Sequence, residues 1–250
     1  MAPRYRSINA PSLGCRGYPP GGEAHLWWAP LDVGDARLCE LERSLVPEEV
    51  ERAARYVRAE TRDRFVAARG TLRTLLARYL GVQPRQIVLS YGPRGKPRLV
   101  SPAGEVHFNV SHSGDLALIA FSSHSPIGVD LERISAATDV GGLAGRYFSP
   151  AELAHIEARS PAARRHAFFV CWTRKEAYLK ATGDGLAQAL DGFDVASAPG
   201  RVVPASPRVS EEALRWRLAD LAPPRGYTAA LALRQGADRA KIRSRWSEGG

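Results

Sequence analysis

Asp130 and Glu132 stand two residues apart in Gly128-Val129-Asp130-Leu131-Glu132. Side chains alternate across a strand. A strand here turns both carboxylates to one face, with Cα atoms ~7 Å apart, and Ile127, Val129 and Leu131 to the other. Two carboxylates at that spacing suit a hard cation such as Mg²⁺, which takes oxygen ligands and keeps several waters. The same pattern also fits an amphipathic strand whose polar face is simply solvated. A second group lies in Trp172-Thr173-Arg174-Lys175-Glu176-Ala177-Tyr178-Leu179-Lys180. Trp172, Glu176 and Lys180 are spaced i, i+4, i+8 and line one side of a helix. Phe168 and Leu179 set Glu176 at the margin of the buried face. A partly buried carboxylate beside a lysine suits a metal site and phosphate chemistry, although a surface Glu–Lys pair worth about 0.3–0.5 kcal/mol has the same spacing. A third group joins Arg94-Gly95-Lys96-Pro97-Arg98 to Asn109-Val110-Ser111-His112. The first presents a lysine on a stiffened loop, and the second offers a hydroxyl, an imidazole and turn amides at a hairpin corner. All of these hydrogen-bond phosphate oxygens. The patterns GxxxxGK[ST] and GxGxxG after a strand are absent, which disfavours an ordinary NTPase or Rossmann enzyme. Three carboxylates for one divalent ion and a basic set for several phosphates point to phosphoryl or phosphodiester chemistry on a polyanionic small molecule.

The elements that position these groups follow from periodicity. Residues 24–31 read as a first strand ended by Pro30, and Asp32 to Cys39 as a loop. One long helix is predicted from about Pro47 to Leu80, because Phe65, Ala68, Leu72, Leu75, Leu76 and Tyr79 recur at three- and four-residue steps. Gly81 is its natural stop. Arg64 and Arg69 flank that stripe on opposite shoulders. Ile87–Ser90 reads as a strand, and Tyr91–Pro97 as a loop. Val106–Val110, Leu116–Phe121 and Ile127–Leu131 read as an antiparallel meander, turning at Ser111–Asp115 and Ser122–Pro126. Ser149-Pro150 and Ser160-Pro161 each open a helix, the second running to about Thr182 before Gly183-Asp184-Gly185. Phe193–Val195, Arg215–Leu218 and Tyr227–Leu233 form another antiparallel set.

The chain has 250 residues and a formal net charge of +9. Hydrophobic residues make up 44% and charged residues 24%, which excludes disorder as a whole-chain state. The charge is local: residues 51–100 hold 12 Lys+Arg and 3 acids, and the remainder is neutral. That segment is expected to meet an anion, unless it is only a solvated arginine-rich face. Only four residues are lysine, so each weighs more than any one arginine. Cys15, Cys39 and Cys171 form no CxxC pair, which disfavours a disulfide framework or zinc ribbon. No apolar run approaches a membrane span and no apolar region follows Arg4 and Arg6, so a cytoplasmic protein is expected.

FNVSHSGDLALIAFSSHSPIGVDLE (108–132) and FFVCWTRKEAYLKATGDGL (168–186) together resemble the 4′-phosphopantetheinyl transferases of the long, two-half Sfp-type class. YGPRGKPRL (91–99) is similar to that family's Gly-Lys-Pro loop, and the resemblance spans about residues 24–234. It implies an α+β fold of two similar, pseudo-twofold halves, each a small antiparallel sheet packed on a long helix. The expected divisions are a lead-in at 1–22, an N-terminal half at 23–124, a C-terminal half at 125–235 and a frayed polar tail at 236–250. The implied reaction moves the 4′-phosphopantetheine arm of coenzyme A to a serine of an apo acyl or peptidyl carrier protein, releasing adenosine 3′,5′-bisphosphate. Asp130, Glu132 and Glu176 would bind Mg²⁺, with Mn²⁺ as an alternative, and Lys180 would pair with the departing phosphate. Glu176 and Glu152 are both implied as the general base. Ser111 and His112 would hold the 3′-phosphate end, with Arg64, Arg69, Lys96 and Pro97 around the adenine and phosphates. A patch near Phe148 and Phe169 would receive the carrier helix. The expected form is a monomer without nucleic-acid or membrane partners. A metal-dependent nuclease and a non-enzymatic nucleic-acid binder are the competing classes, the first opposed by the order Lys175-Glu176 and the second by the acidic site.

Overall fold

The computed structural model describes residues 23–92, 96–102, 106–123, 125–183, 190–196, 203–204, 213–234 and 241–247. The expected lead-in, Cys15, Arg94, Gly95 and Asp184-Gly185 lie outside these residues. The chain is α+β and divides into two compact units. The N-terminal unit takes residues 1–107, 115–124 and 239–250, and the C-terminal unit takes 108–114 and 125–238. Among the described residues, no helix is long and apolar enough to cross a membrane.

The N-terminal unit is built on β1 (Glu23–Pro30), whose central residues are all buried. β1 pairs antiparallel with β5 (Leu116–Ser122) and parallel with β11 (Lys241–Trp246). The tail expected to fray is therefore partly a strand, and its period-two register was hidden by its polarity. Helices α1 (Asp35–Glu42), α2 (Pro47–Ala54) and α3 (Ala59–Leu80) follow β1. α1 occupies the stretch read as a loop, and packs so close to α3 that a Cβ on Gly70 would lie 2.6 Å from the Leu41 carbonyl. The single helix expected over 47–80 is broken at Arg55–Arg58. Long-range contacts decide this: Arg73 in α3 is buried and grips the Glu49 carboxylate of α2 with Nε and Nη2, while Nη1 donates to the carbonyls of Pro84 and Ile87. β2 (Val88–Tyr91) and β3 (Pro97–Ser101) form a separate hairpin. α3 is fixed to β1 by Tyr79, whose hydroxyl accepts from Trp27 Nε1 at 2.9 Å and bonds His25 Nδ1 at 2.8 Å.

The C-terminal unit repeats the theme of a long helix on an antiparallel sheet. Its sheet has the order β6-β10-β9, with β6 at Ile127–Arg133, β10 at Tyr227–Arg234 and β9 at Trp216–Asp220. β6 therefore does not continue a meander from β5. It pairs with β10, setting Asp130 opposite Ala230 and Glu132 opposite Thr228. β4 (His107–Ser113) runs three residues beyond the predicted strand, so Ser111 and His112 belong to the strand and not to a corner. Helices α4 (Val140–Tyr147), α5 (Pro150–Glu157) and α6 (Pro161–Thr182) come next. α6 ends at Gly183 with φ 82°, as α3 ends at Gly81 with φ 67°, conformations that favour glycine. A two-stranded ladder of β7 (Phe193–Asp194) and β8 (Val203–Pro204) completes the unit.

α6 packs across β6 and β10 over a core that includes Phe168, Phe193, Tyr178 and Trp216. Arg174 ties α6 to β9 through two hydrogen bonds to Asp220, at 2.7 and 2.6 Å. The closest approach falls at Gly128, where a Cβ would lie 2.1 Å from the Ala177 carbonyl and 2.4 Å from the Ala181 nitrogen. Gly128, Asp130 and Glu132 share a strand face, so the contact at Gly128 carries the helix in over both carboxylates. Gly128→Ala is expected to push α6 off the sheet and cost about 1–3 kcal/mol, the usual range for overpacking. Thermal unfolding should fall by several degrees, and an unchanged midpoint would show that the helix is not held this closely.

Candidate active site

The site is assembled on the free edge of β6. Alternate side chains of β4 stand where a neighbouring strand would otherwise pair. Asn109 Oδ1 accepts from the Val129 N–H at 2.9 Å, Ser111 Oγ from Leu131 at 3.2 Å and Ser113 Oγ from Arg133 at 3.0 Å. Three backbone donors are thus satisfied without a backbone partner, which a buried edge requires. The serines also act as donors: Ser111 Oγ to Asp130 Oδ1 at 2.9 Å, and Ser113 Oγ to Glu132 Oε2 at 2.8 Å.

Asp130 is 1% exposed. Its Oδ1 accepts from Ser111 and from Lys180 Nζ at 2.6 Å, and Lys180 also donates to Ser111 Oγ at 2.9 Å. Ser111 thus gives its proton to Asp130 and accepts from the Leu131 N–H and from Lys180, so its expected role on a ligand phosphate competes with bonds already made. Asp130 Oδ2 is buried and, among the described residues, accepts no hydrogen bond. An open oxygen on a buried carboxylate is costly unless something positive or protic completes it.

Glu132 and Glu176 are half-buried. Burial raises the pKa of each, and the charge of Asp130 raises it further. Ser113 and Lys180 pull back on Glu132, and Lys180 on Glu176. Three carboxylates repelling one another around one lysine make a site of negative potential that a divalent cation would relieve. Among the described residues, no group of three or more His, Cys, Asp or Glu side chains is placed so as to hold a metal ion. His112 is exposed at the strand edge. Partial desolvation, then the Lys180 charge, lowers its pKa.

Other expected residues have different company. Glu152 is wholly buried: Oε2 pairs with Lys175 Nζ at 2.8 Å and accepts from the Ser149 N–H at 2.9 Å, and Oε1 accepts from Val195 N–H at 2.9 Å. Lys175 is equally buried and donates to the carbonyls of Leu190 and Phe193 at 2.5 and 2.6 Å. Burial lifts Glu152 and lowers Lys175, each opposed by the other's charge. A fully buried carboxylate with both oxygens engaged locks α5, α6 and β7 together, a placement that opposes the expected general-base role of Glu152. Phe148 and Phe169 are 3% and 5% exposed and belong to the core, so the accessible aromatics there are Tyr147 and Trp172, edge to face at 5.9 Å.

In the N-terminal unit, Arg64 is paired with Glu60 at 2.6 Å and with Asp115. Arg69 donates to the Tyr91 hydroxyl at 2.8 Å, lies 3.6 Å from Glu49 and stacks on Phe65 and Tyr91. Its charge is already answered within the unit, against its expected role on a ligand phosphate. Lys96 and Pro97 lead into β3, with the Lys96 carbonyl accepting from Gly92 N–H at 3.0 Å. The sequence reading quoted Asn109 and Gly128 within their motifs without a role and did not single out Ser113. The signal lay in the parallel spacing of Asn-x-Ser-x-Ser at 109–113 and Gly-x-Asp-x-Glu at 128–132.

Comparison with known proteins gives a consistent family. The model described as "4'-phosphopantetheinyl transferase superfamily" matches residues 126–232, and "4'-phosphopantetheinyl transferase, N-terminal" matches residues 28–124. "4'-phosphopantetheinyl transferase HetI" of Nostoc sp. is 40% identical over 213 residues, 84% of this chain and 87% of that protein. A "4'-phosphopantetheinyl transferase" of Bacillus subtilis is 31% identical over 166 residues, 66% of this chain and 71% of that protein. "4'-phosphopantetheinyl transferase Sfp" of Bacillus subtilis strain 168 is 31% identical over 149 residues, 60% of this chain and 65% of that protein.

Two outcomes test this geometry. A carboxyl whose folded pKa is raised lowers stability once pH exceeds that pKa, and the loss fades as pH falls toward its unfolded value. Glu176→Gln should therefore melt higher than the parent at pH 8 in chelator, with the gain shrinking toward pH 5; no gain at pH 8 would contradict the crowding of charges. Glu152→Gln strands the buried Lys175 ammonium and should cost about 3–5 kcal/mol of stability, while turnover per folded molecule persists. Lost turnover at an unchanged melting temperature would restore Glu152 as a catalytic base.

Proposed function

The chain belongs to the 4′-phosphopantetheinyl transferase superfamily, and from that premise we propose how it transfers the phosphopantetheine group to carrier proteins. The donor is coenzyme A, the acceptor is a serine hydroxyl of an apo acyl or peptidyl carrier protein, and the nucleotide product is adenosine 3′,5′-bisphosphate. The observation that supports this reading best is Asp130: one oxygen held by Ser111 and Lys180, the other open, and two further carboxylates beside it.

Asp130, Glu132 and Glu176 would hold Mg²⁺, with Mn²⁺ as a substitute. When bound, the ion supplies charge neutralisation at the pyrophosphate and at the phosphorus under attack. Lys180 is a point charge directed at Asp130 Oδ1. It would balance the negative charge that collects on the leaving phosphate. Glu176 is the better candidate for general base: it is partly accessible and its pKa is raised toward the working pH, which favours proton transfer. It would take the serine proton directly or through one water. Ser111 acts by holding Asp130 and Lys180 in place. His112 would donate a hydrogen bond to a phosphate oxygen, and Lys96 and Pro97, with Arg64, are the candidates for the nucleotide end of coenzyme A. The nuclease and nucleic-acid-binding alternatives are not favoured by the family.

The test is direct. Purified apo carrier protein incubated with the enzyme, coenzyme A and Mg²⁺ should gain the mass of one phosphopantetheine group, and chelator should stop it. Asp130→Ala should reduce the rate by at least about 100-fold, the upper range for disturbing a metal site. Full activity in Asp130→Ala, or in chelator, would remove the metal from the proposal.

A further inference from the structure

We propose that Ser113 is a positioning residue for Glu132, and that β4 presents both strand carboxylates by one repeated device. The inference rests on the reading of Glu132 as a cation ligand and adds a residue to it.

The two rungs are alike atom for atom. At the first, Ser111 Oγ accepts from the Leu131 N–H and donates to Asp130 Oδ1. At the second, Ser113 Oγ accepts from the Arg133 N–H at 3.0 Å and donates to Glu132 Oε2 at 2.8 Å. A serine hydroxyl has one proton. Once the backbone N–H of Arg133 fixes the oxygen, the proton is left to face Glu132. Each serine therefore binds the N–H after a carboxylate and the carboxylate itself, which fixes the side-chain torsions of an otherwise flexible acid. One oxygen of each acid is held, and the other is left for a ligand.

The rungs differ in support. Asp130 has Lys180 as a second donor to Oδ1, whereas among the described residues Ser113 is the one hydrogen-bond donor to Glu132. Glu132 is also longer by a methylene and half-exposed, so it has more freedom to lose. Ser113 thus matters more to the orientation of its carboxylate than one hydrogen bond in a network usually does.

Gly114 keeps Ser113 in place. It turns the chain at φ 57°, and a Cβ there would lie 2.9 Å from both Arg133 Cδ and the Tyr227 hydroxyl. The chain leaves β4 immediately after the second rung, against the end of β6, in a left-handed turn that favours glycine.

The experiment is titration of the full-length enzyme with Mn²⁺ in the presence of coenzyme A, reading free Mn²⁺ by electron paramagnetic resonance, with melting temperatures measured in parallel. Ser113→Ala is expected to weaken Mn²⁺ binding about tenfold, the lower range for losing a partner of a metal ligand. Ser113→Thr keeps the hydroxyl and suits a strand, and should bind within about threefold of the parent by the same scale. Ser113→Cys, with its weaker donor, gives the same reading as Ala should Ala not fold. Parental affinity in Ser113→Ala or Ser113→Cys would overturn the inference, as would equal weakening in Ser113→Ala and Ser113→Thr. Glu132→Gln separates the two layers: if it binds Mn²⁺ as well as the parent, Glu132 is not a ligand and the underlying reading falls. If it loses binding while Ser113→Ala does not, only the role of Ser113 falls.

Discussion

Taking a carboxylate out of water costs several kcal/mol unless charges and hydrogen bonds replace the solvent. Asp130 meets that cost on one side only. Lys180 from α6 and Ser111 from β4 both converge on Oδ1, so three elements have to meet within hydrogen-bond distance of one buried atom. The geometry of the C-terminal unit follows from that demand. α6 must approach β6 closely, which Gly128 allows. β4 must run alongside β6 with its odd-numbered side chains inward, which the Asn109, Ser111 and Ser113 rungs achieve. The buried Lys175–Glu152 pair then fixes α6 to α5 and β7 one residue before Glu176.

Function is built on an arrangement that the fold does not favour by itself. Glu132 and Glu176 are pushed toward their protonated forms by burial and by Asp130. A site with spare negative charge and an open oxygen would gain most from the proposed cation. Burial of apolar surface in the aromatic core around Phe168 and Phe193 offsets that cost.

Much of this was legible in the sequence. The alternation in Gly128–Glu132 placed two carboxylates on one face, and the four-residue step in α6 placed Glu176 with Lys180. Both are local, and local periodicity is what a sequence displays. Long-range pairing was not legible. β6 leaves its chain neighbour β5 for β10, and β11 joins β1 from the far end of the chain. The break between α2 and α3 arises from Arg73 reaching Glu49, and nothing in the helical period marks it. The pairing of Glu152 with Lys175 was not legible, because nothing near Glu152 in the chain signals that Lys175 lies opposite. Part of the basic stretch at 51–100 is paired within its own unit: Arg73 and Arg69 meet Glu49, and Arg64 meets Glu60 and Asp115.

The claim on which the account turns is that Asp130 Oδ2 is the open ligand of a cation site. A crystal of the enzyme with coenzyme A and Mn²⁺, measured for anomalous scattering, tests it without reference to turnover. The account predicts a peak within coordination distance of Asp130 Oδ2, with a carboxylate of Glu132 or Glu176 in the same shell. A peak elsewhere, or Oδ2 closed by a donor from the protein itself, would contradict it.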